Sequence, residues 1–308
     1  MRTLHARARR VGLGLLFAAL GFAPYAWASS ADFGDFGRDD VLLVVAPHPD
    51  DETLCCAGAI QRAHAAGARV AIVWVTSGDG FELDAHVVEK RLFTGTQGLL
   101  ELARLRMQEA ARVADLLSVA PAERYFLGYP DGGIEPLLNE NLVVPYRSPH
   151  TGASAVPYEH AWAPRAAYTG SDLERDLLGV VERVHPTWVL APTPLDEHAD
   201  HRATGELVIH TMGPLGRLGQ VRYWIVHGGF AWPWPRGLHP DAELVAPRRT
   251  RGLPWQDFEL TAPERALKER ALSLYETQLK LTSSFMLSFV KRNEIYSAAP
   301  LPAALPGG

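Results

Sequence analysis

Six consecutive apolar residues, Val41 to Ala46 (VLLVVA), run directly into PHPDDE and stop there. An unbroken, β-branched run of this length reads as a strand covered on both faces, as in a parallel sheet flanked by helices. The polar cluster that follows then leaves the carboxyl end of a strand, where open α/β sheets bind their ligands. His48, Asp50, Asp51 and Glu52 all emerge at that point. The turn has no glycine to admit a phosphate, and its acids would repel one, so a cation is the better occupant. Taken alone, HPDD is also compatible with a plain turn in which Pro49 sets φ and Asp50 or Asp51 caps a helix beginning near Thr53. A second ligand-rich stretch, EHADH from Glu197 to His201, follows a second apolar strand at Trp188 to Ala191. Two such strand ends can share one site, and the plain turn becomes hard to hold.

The remaining order fits the same class, α/β with a mostly parallel sheet. A helix is expected from Thr53 to about Ala66, a strand at Val70 to Val75, a helix at Leu99 to Val119 and a strand at Tyr125 to Leu127 that ends near Asp131. Ser171, with Glu174 completing a capping box, is expected to start a helix to Val184, and further helices are read from Ala203 to Met212 and from Pro263 to Lys280. Val221 to Val226 reads as a fifth strand. Residues 81–98 read as a flexible loop beside the site. Residues 134–170, punctuated by prolines, read as a long functional loop in which His150 or His160 touches substrate or packs the loop down. The aromatic stretch Phe230 to Pro235 (FAWPWP) either stacks on sugar rings or pins its own loop.

Composition sets the address. Arg2, Arg7, Arg9 and Arg10 precede an apolar stretch and Ala26-Trp27-Ala28, the pattern of a signal peptide over residues 1–28. An uncleaved anchor is the alternative. The expected organisation is then a single domain over 29–297 and a loose Pro/Ala-rich tail over 298–308, in a periplasmic or secreted protein. Without the leader and its four arginines the formal charge moves from −5 to −9, which argues against a nucleic-acid partner. The two cysteines, Cys55 and Cys56, are adjacent, so they cannot staple distant segments or form a thiolate zinc site.

Two histidines and a carboxylate with one open position form a common hydrolytic zinc site. The trio that the two clusters supply is His48, Asp51 and His201. Asp50, beside a ligand, can take a proton from the attacking water, and His198 can stand over a substrate carbonyl as electrophile and proton donor. Asp200 is placed to orient one of the histidines and to favour a charged His198.

The first cluster together with His198-x-Asp200-His201 resembles the PIG-L deacetylases, the family that contains the de-N-acetylases of glycosylphosphatidylinositol and mycothiol synthesis. The likeness runs from about Val41 to Gln278 and takes in Arg106-x-x-Glu109 and Pro130-Asp131-Gly132. It implies a Rossmann-like three-layer fold with the site at the strand C-termini, zinc, and removal of an acetyl group from glucosamine nitrogen. It further implies Asp50 as base, His198 as acid, and substrate contacts at Arg106 and Asp131. Pro47 departs from the usual alanine before the histidine. Several alternatives remain: an O-acetyl esterase or an amidase on a non-sugar substrate, a non-catalytic zinc-dependent sugar-binding protein, and an Fe2+ enzyme using the same ligands.

Overall fold

The computed structural model describes residues 33–80 and 95–301. The expected signal peptide, most of the loop expected at 81–98 and most of the expected tail lie outside them. Among the described residues the strands are β1 (Val41–Ala46), β2 (Arg69–Thr76), β3 (Arg124–Tyr129), β4 (Trp188–Pro192), β5 (Val221–Trp224), β6 (Trp255–Glu259) and β7 (Asn293–Ser297). The α-helices are α1 (Asp51–Ala65), α2 (Gly95–Leu116), α3 (Ile134–Asn139), α4 (Gly170–Val184), α5 (Ala199–Met212), α6 (Ala262–Leu272) and α7 (Glu276–Leu287).

One sheet runs in the order β3-β2-β1-β4-β5-β7-β6. The first five strands are parallel, while β7 pairs antiparallel with both β5 and β6. Alternation along β1 explains the layers: Leu42, Val44 and Ala46 enter the core shared with α1, α6 and α7, and Leu43 and Val45 enter the core shared with α4 and α5. An apolar run without polar interruptions is what a strand buried on both faces requires. No described helix is long and apolar enough to cross a membrane.

Several expectations about the elements are corrected. The α1 helix starts at Asp51, not Thr53, and α5 starts at Ala199, not Ala203, because His198 caps it by accepting a hydrogen bond from the Asp200 amide. The α4 cap is Thr169, which accepts from Asp172 N; the Ser171/Glu174 box is not formed. The expected final helix is split between Leu272 and Glu276, and its true capping box is Thr261 with Glu264. Within 134–170 lies the short helix α3, which the prolines concealed. The cysteines are disulfide-bonded to each other inside α1.

One buried network fixes α1, the helix that carries the first cluster. Lys268 Nζ of α6 donates to Leu54 O (2.8 Å) and to Glu294 Oε1 (2.7 Å), and Glu294 in turn accepts from Gly58 N (2.9 Å). Both Lys268 and Glu294 are almost wholly buried, so the pair is held by these extra hydrogen bonds as much as by its charge.

Candidate active site

The strand order reverses between β1 and β4, and both connections that leave this point carry ligand-type residues. That switch point is where an open parallel sheet leaves a crevice, and the cleft found there has a volume of about 700 Å³. The segment after β1 delivers His48, Asp50 and Asp51; the segment after β4 delivers His198 and, on the first turns of α5, Asp200 and His201.

The turn after β1 is strained at Asp50, where φ is 130°, a conformation that L-residues rarely adopt. Its neighbours compensate. The Asp50 amide donates to Glu52 Oε2 (3.2 Å), and Asp50 O accepts from Thr53 N (2.9 Å) and Leu54 N (3.0 Å). Glu52, though part of the acidic cluster, is wholly buried and turned away from the cleft. It accepts from Trp74 Nε1 (2.9 Å), the Thr53 hydroxyl and the Tyr275 hydroxyl, bracing the turn against β2 and the segment between α6 and α7.

The two imidazoles meet at one carboxylate oxygen. Asp51 Oδ2 lies 3.2 Å from His48 Nδ1 and 3.2 Å from His201 Nε2. The far nitrogen of each ring faces another acid: His48 Nε2 is 3.2 Å from both Asp200 Oδ2 and Asp131 Oδ1, and His201 Nδ1 is 3.3 Å from Asp196 Oδ2. These outer acids are held by main-chain amides, Asp200 by Gly132 N (2.7 Å) and Ile134 N (3.1 Å), Asp196 by Val226 N and His227 N (3.0 Å each). Burial works against charge on both histidines, yet the facing acids outweigh it: His48 is raised well above its ordinary value and His201 is pushed up to about 9.

This donor set fits a divalent cation. Neither His201 nitrogen, both fully buried, makes a well-aligned hydrogen bond, although carboxylate oxygens approach both. A ring gripped by an acid on one nitrogen and presenting the other to a shared point is the usual form of a metal-binding histidine. Two trios bring one donor atom each within 4.8 Å of one another, His48/His198/His201 and His48/Asp131/Asp200. In these trios His198 Nδ1 accepts from Asp200 N (3.2 Å) and Asp200 takes two amides; Asp51, which belongs to neither trio, accepts the His48 amide at Oδ2 (2.9 Å) besides facing the two imidazoles.

Asp50 reaches Arg106 Nη2 at 3.7 Å, and burial, followed by the Asp51 charge, raises its carboxyl well above the carboxylate range. The expected charge on His198 is not found. Burial, then His48 and His201, push it down to about 3, and the Asp200 carboxylate that was to hold it charged points at His48 instead. With Nδ1 accepting an amide, His198 carries its proton on Nε2. Arg106 is buried in the cleft wall, donating to Gly78 O (3.0 Å) and Pro49 O (3.1 Å). Asp131 lies 3.9 Å from Arg106; burial opposes its ionisation, but His48 and Arg106 hold its carboxyl below the usual range. His150 lines the cleft and exposed His160 does not.

Three residues of the site were not singled out from the sequence. Asp196 orients His201. Asp79 accepts the Asp131 amide (2.9 Å) while Asp131 accepts the Gly80 amide (3.2 Å), a reciprocal clasp between the ends of β2 and β3. His227 lines the cleft, its ring 4.7 Å from that of His201 and stacked at 5.5 Å on Phe285. Asp196 and Asp79 were detectable as acids at strand ends, the same criterion that marked Asp131.

A mostly parallel, Rossmann-like sheet with a histidine- and carboxylate-lined crevice at its switch point is the fold class, and a family match makes the protein a hydrolytic de-N-acetylase. More narrowly, the chain belongs to the PIG-L family: the family model, described as GlcNAc-PI de-N-acetylase, matches residues 43–212, more than half of the chain. Among solved structures, the A40926 pseudoaglycone deacetylase is similar at a TM-score of 0.55 and 17% identity, over 84% of this chain and 96% of that one. The N,N'-diacetylchitobiose deacetylase from Pyrococcus horikoshii is similar at 0.50 and 18% identity, over 83% and 82%. The conserved protein TT1542 from Thermus thermophilus is similar at 0.50 and 21% identity, over 86% and 96%. A search of curated proteins finds no match.

Proposed function

We propose that the protein removes the N-acetyl group from an N-acetylglucosamine-containing saccharide or glycoconjugate, with His48, Asp51 and His201 holding a zinc ion. The observation that carries this reading is Asp51 Oδ2 shared by two imidazoles, directly beside a second, strained carboxylate that faces the cleft. Bound there, zinc supplies a Lewis acid at the cleft floor, and Fe2+ would occupy the same donors.

The chain's own groups account for the proton movements. Asp50 Oδ accepts a proton from the attacking water, and burial, followed by the Asp51 charge, raises its affinity for protons. His198 Nε2–H donates a hydrogen bond to oxygen charge that develops on the acetyl carbonyl, a role for which a neutral imidazole suffices. The proton collected by Asp50 then passes to the departing amine. Asp200 and Asp131 orient His48, and Asp196 orients His201. Arg106 and Asp131, both on the cleft lining, are assigned the contacts to sugar hydroxyls.

We also propose that residues 1–28 direct export, on the strength of the arginine-led apolar leader and its A-x-A site. The activity is tested by acetate release from a panel of N-acetyl and O-acetyl sugars with zinc-loaded protein. Release from N-acetylated sugars supports the reading; release from O-acetyl esters alone replaces it with an esterase.

A further inference from the structure

We propose that Tyr275 and Glu109 are positioning residues for the reaction, which fix Asp50 and Arg106 against each other through the first turn of α7. This rests on the deacetylase reading above, in which Asp50 takes the proton and Arg106 meets the substrate, and it adds the residues that set their separation.

Asp50 is held at both ends. Its amide donates to Glu52 Oε2 (3.2 Å), and its carboxylate Oδ2 lies 3.7 Å from Arg106 Nη2. Glu52 also accepts from Trp74 Nε1 (2.9 Å) and from the Thr53 and Tyr275 hydroxyls. Trp74 belongs to β2, the strand paired with β1, and Thr53 to α1 itself, so both move with the turn they support. Tyr275 does not. It lies 223 positions further along the chain, is wholly buried, and reaches Glu52 Oε1 from the residue just before α7.

The place of Tyr275 is set in turn from α2. Tyr275 occupies the N-cap position of α7, yet its side chain makes no capping bond there. Glu109 supplies the cap instead: its buried carboxylate accepts from Thr277 N (3.0 Å) and from the Thr277 hydroxyl (2.5 Å), as suits an acid facing the free amides and dipole of a helix start. Glu109 stands three residues after Arg106 on the same helix. The Arg106 guanidinium is seated without slack on Gly78 O (3.0 Å) and Pro49 O (3.1 Å), for a Cβ at Gly78 would come within 2.1 Å of it. The contacts therefore close into a ring. From the Asp50 amide they run through Glu52 and Tyr275 to α7, through Thr277 and Glu109 to α2, and through Arg106 back to Pro49 and Asp50. The amide end and the carboxylate end of the strained residue are both referred to one helix start, and reacting groups misplaced by about 1 Å lose on the order of 10²-fold in rate.

The test measures acetate release by zinc-loaded protein. Tyr275→Phe keeps the ring and removes only the hydroxyl, so kcat should fall about ten- to hundredfold while KM and zinc content stay at wild-type values. Thr277→Val, which loses one of the two bonds to Glu109, should lower kcat less, and Thr277→Ser should retain it. Combined, Tyr275→Phe and Thr277→Val should lose less than the product of their single losses, because both loosen the same turn. Val180→Ala, a cavity in the core beneath α4, should lower the melting temperature and leave kcat unchanged. Wild-type kcat in Tyr275→Phe, a loss that falls on KM or zinc content instead, multiplicative losses in the double variant, or an equal fall in Val180→Ala each overturns the proposal. Should no acetylated sugar release acetate, the deacetylase reading fails separately, and amide hydrogen exchange over residues 47–54 still decides the positioning. Exchange severalfold faster in Tyr275→Phe but not in Val180→Ala keeps it; exchange equal to wild type in Tyr275→Phe, or equally faster in Val180→Ala, removes it.

Discussion

Asp50 combines a left-handed-region φ on a residue other than glycine with a half-buried carboxylate that has no capping role. Such a conformation costs on the order of 1–3 kcal/mol and persists only where surrounding contacts over-determine it, here Glu52 and the first amides of α1. Asp50→Asn should preserve the turn, because asparagine tolerates positive φ, and should keep metal content equal to wild type while turnover falls roughly 10²–10⁴-fold. Retained turnover at full metal loading would move the base elsewhere. A second residue-level expectation concerns Asp79. Burial, aided by the Asp131 charge, pushes its carboxyl up from 3.8 to about 6, so the folded state binds this proton more tightly than the unfolded chain does. The stabilisation is complete below about pH 4 and is lost as pH rises through about 6. Asp79→Asn, whose amide oxygen can still accept the Asp131 N–H, should therefore match wild type near pH 4 and exceed it at pH 8 by up to roughly 3 kcal/mol. Urea denaturation at both pH values checks this; an Asp79→Asn protein weaker than wild type at pH 8 would mean that the ionised carboxylate is used structurally. Residue types and order made His48, Asp50, Asp51 and His201 readable in the sequence. Glu52 shows the limit, since spacing alone does not tell whether a carboxylate in such a cluster turns to the cleft or to Trp74 and Tyr275.

At the scale of elements, the parallel half of the sheet was legible because each strand there is a short apolar run closed by glycine, proline or acid. The antiparallel strands β6 and β7 were not. Trp255–Glu259 is mostly polar and half exposed at the sheet edge, and Asn293–Ser297 owes its burial to polar partners such as Lys268 and Asn293's own bonds to Leu244, so neither shows an apolar run. The same polar interior predicts a mechanical dependence of α1 on α6. Replacing Lys268 by methionine leaves Glu294 buried without its countercharge, a change that typically costs about 3–5 kcal/mol. For a domain of this size the melting temperature should fall by about 6–15 °C, taking roughly 2–3 °C per kcal/mol. The double variant Lys268→Met with Glu294→Gln should recover part of the loss, since no bare charge then remains. A Lys268→Met protein as stable as wild type would show that the pair is dispensable and that packing alone holds α1. The helix boundaries misread at Thr169, His198 and Leu272 all turn on which side chain captures a free amide, a choice made by geometry that composition does not encode.

For the whole molecule the consequential fact is that the site straddles the switch point. His48 and Asp51 leave β1 while His201 leaves β4, and the two strands are hydrogen-bonded neighbours through Leu42↔Trp188 and Val44↔Leu190. A cation held by all three therefore ties the first βα unit to the second half of the sheet, and it does so only in the folded chain. Binding to the folded state alone stabilises by RT ln(1 + [L]/Kd), which at a thousandfold excess over Kd is about 4 kcal/mol. Zinc-loaded protein should then melt roughly 8–12 °C above chelator-treated protein, and the gap should narrow in proportion to the zinc withheld. His201→Ala, which removes the donor from the second half, should abolish most of that gap, whereas Asp50→Asn should keep it. Asp196→Asn belongs between them: with the orienting carboxylate on His201 Nδ1 neutralised, metal affinity should drop about 10–100-fold, which lowers the gap at limiting zinc and restores it at excess. A melting temperature indifferent to zinc, or one that still responds fully in His201→Ala, would separate the two strand ends functionally and dismantle the shared site.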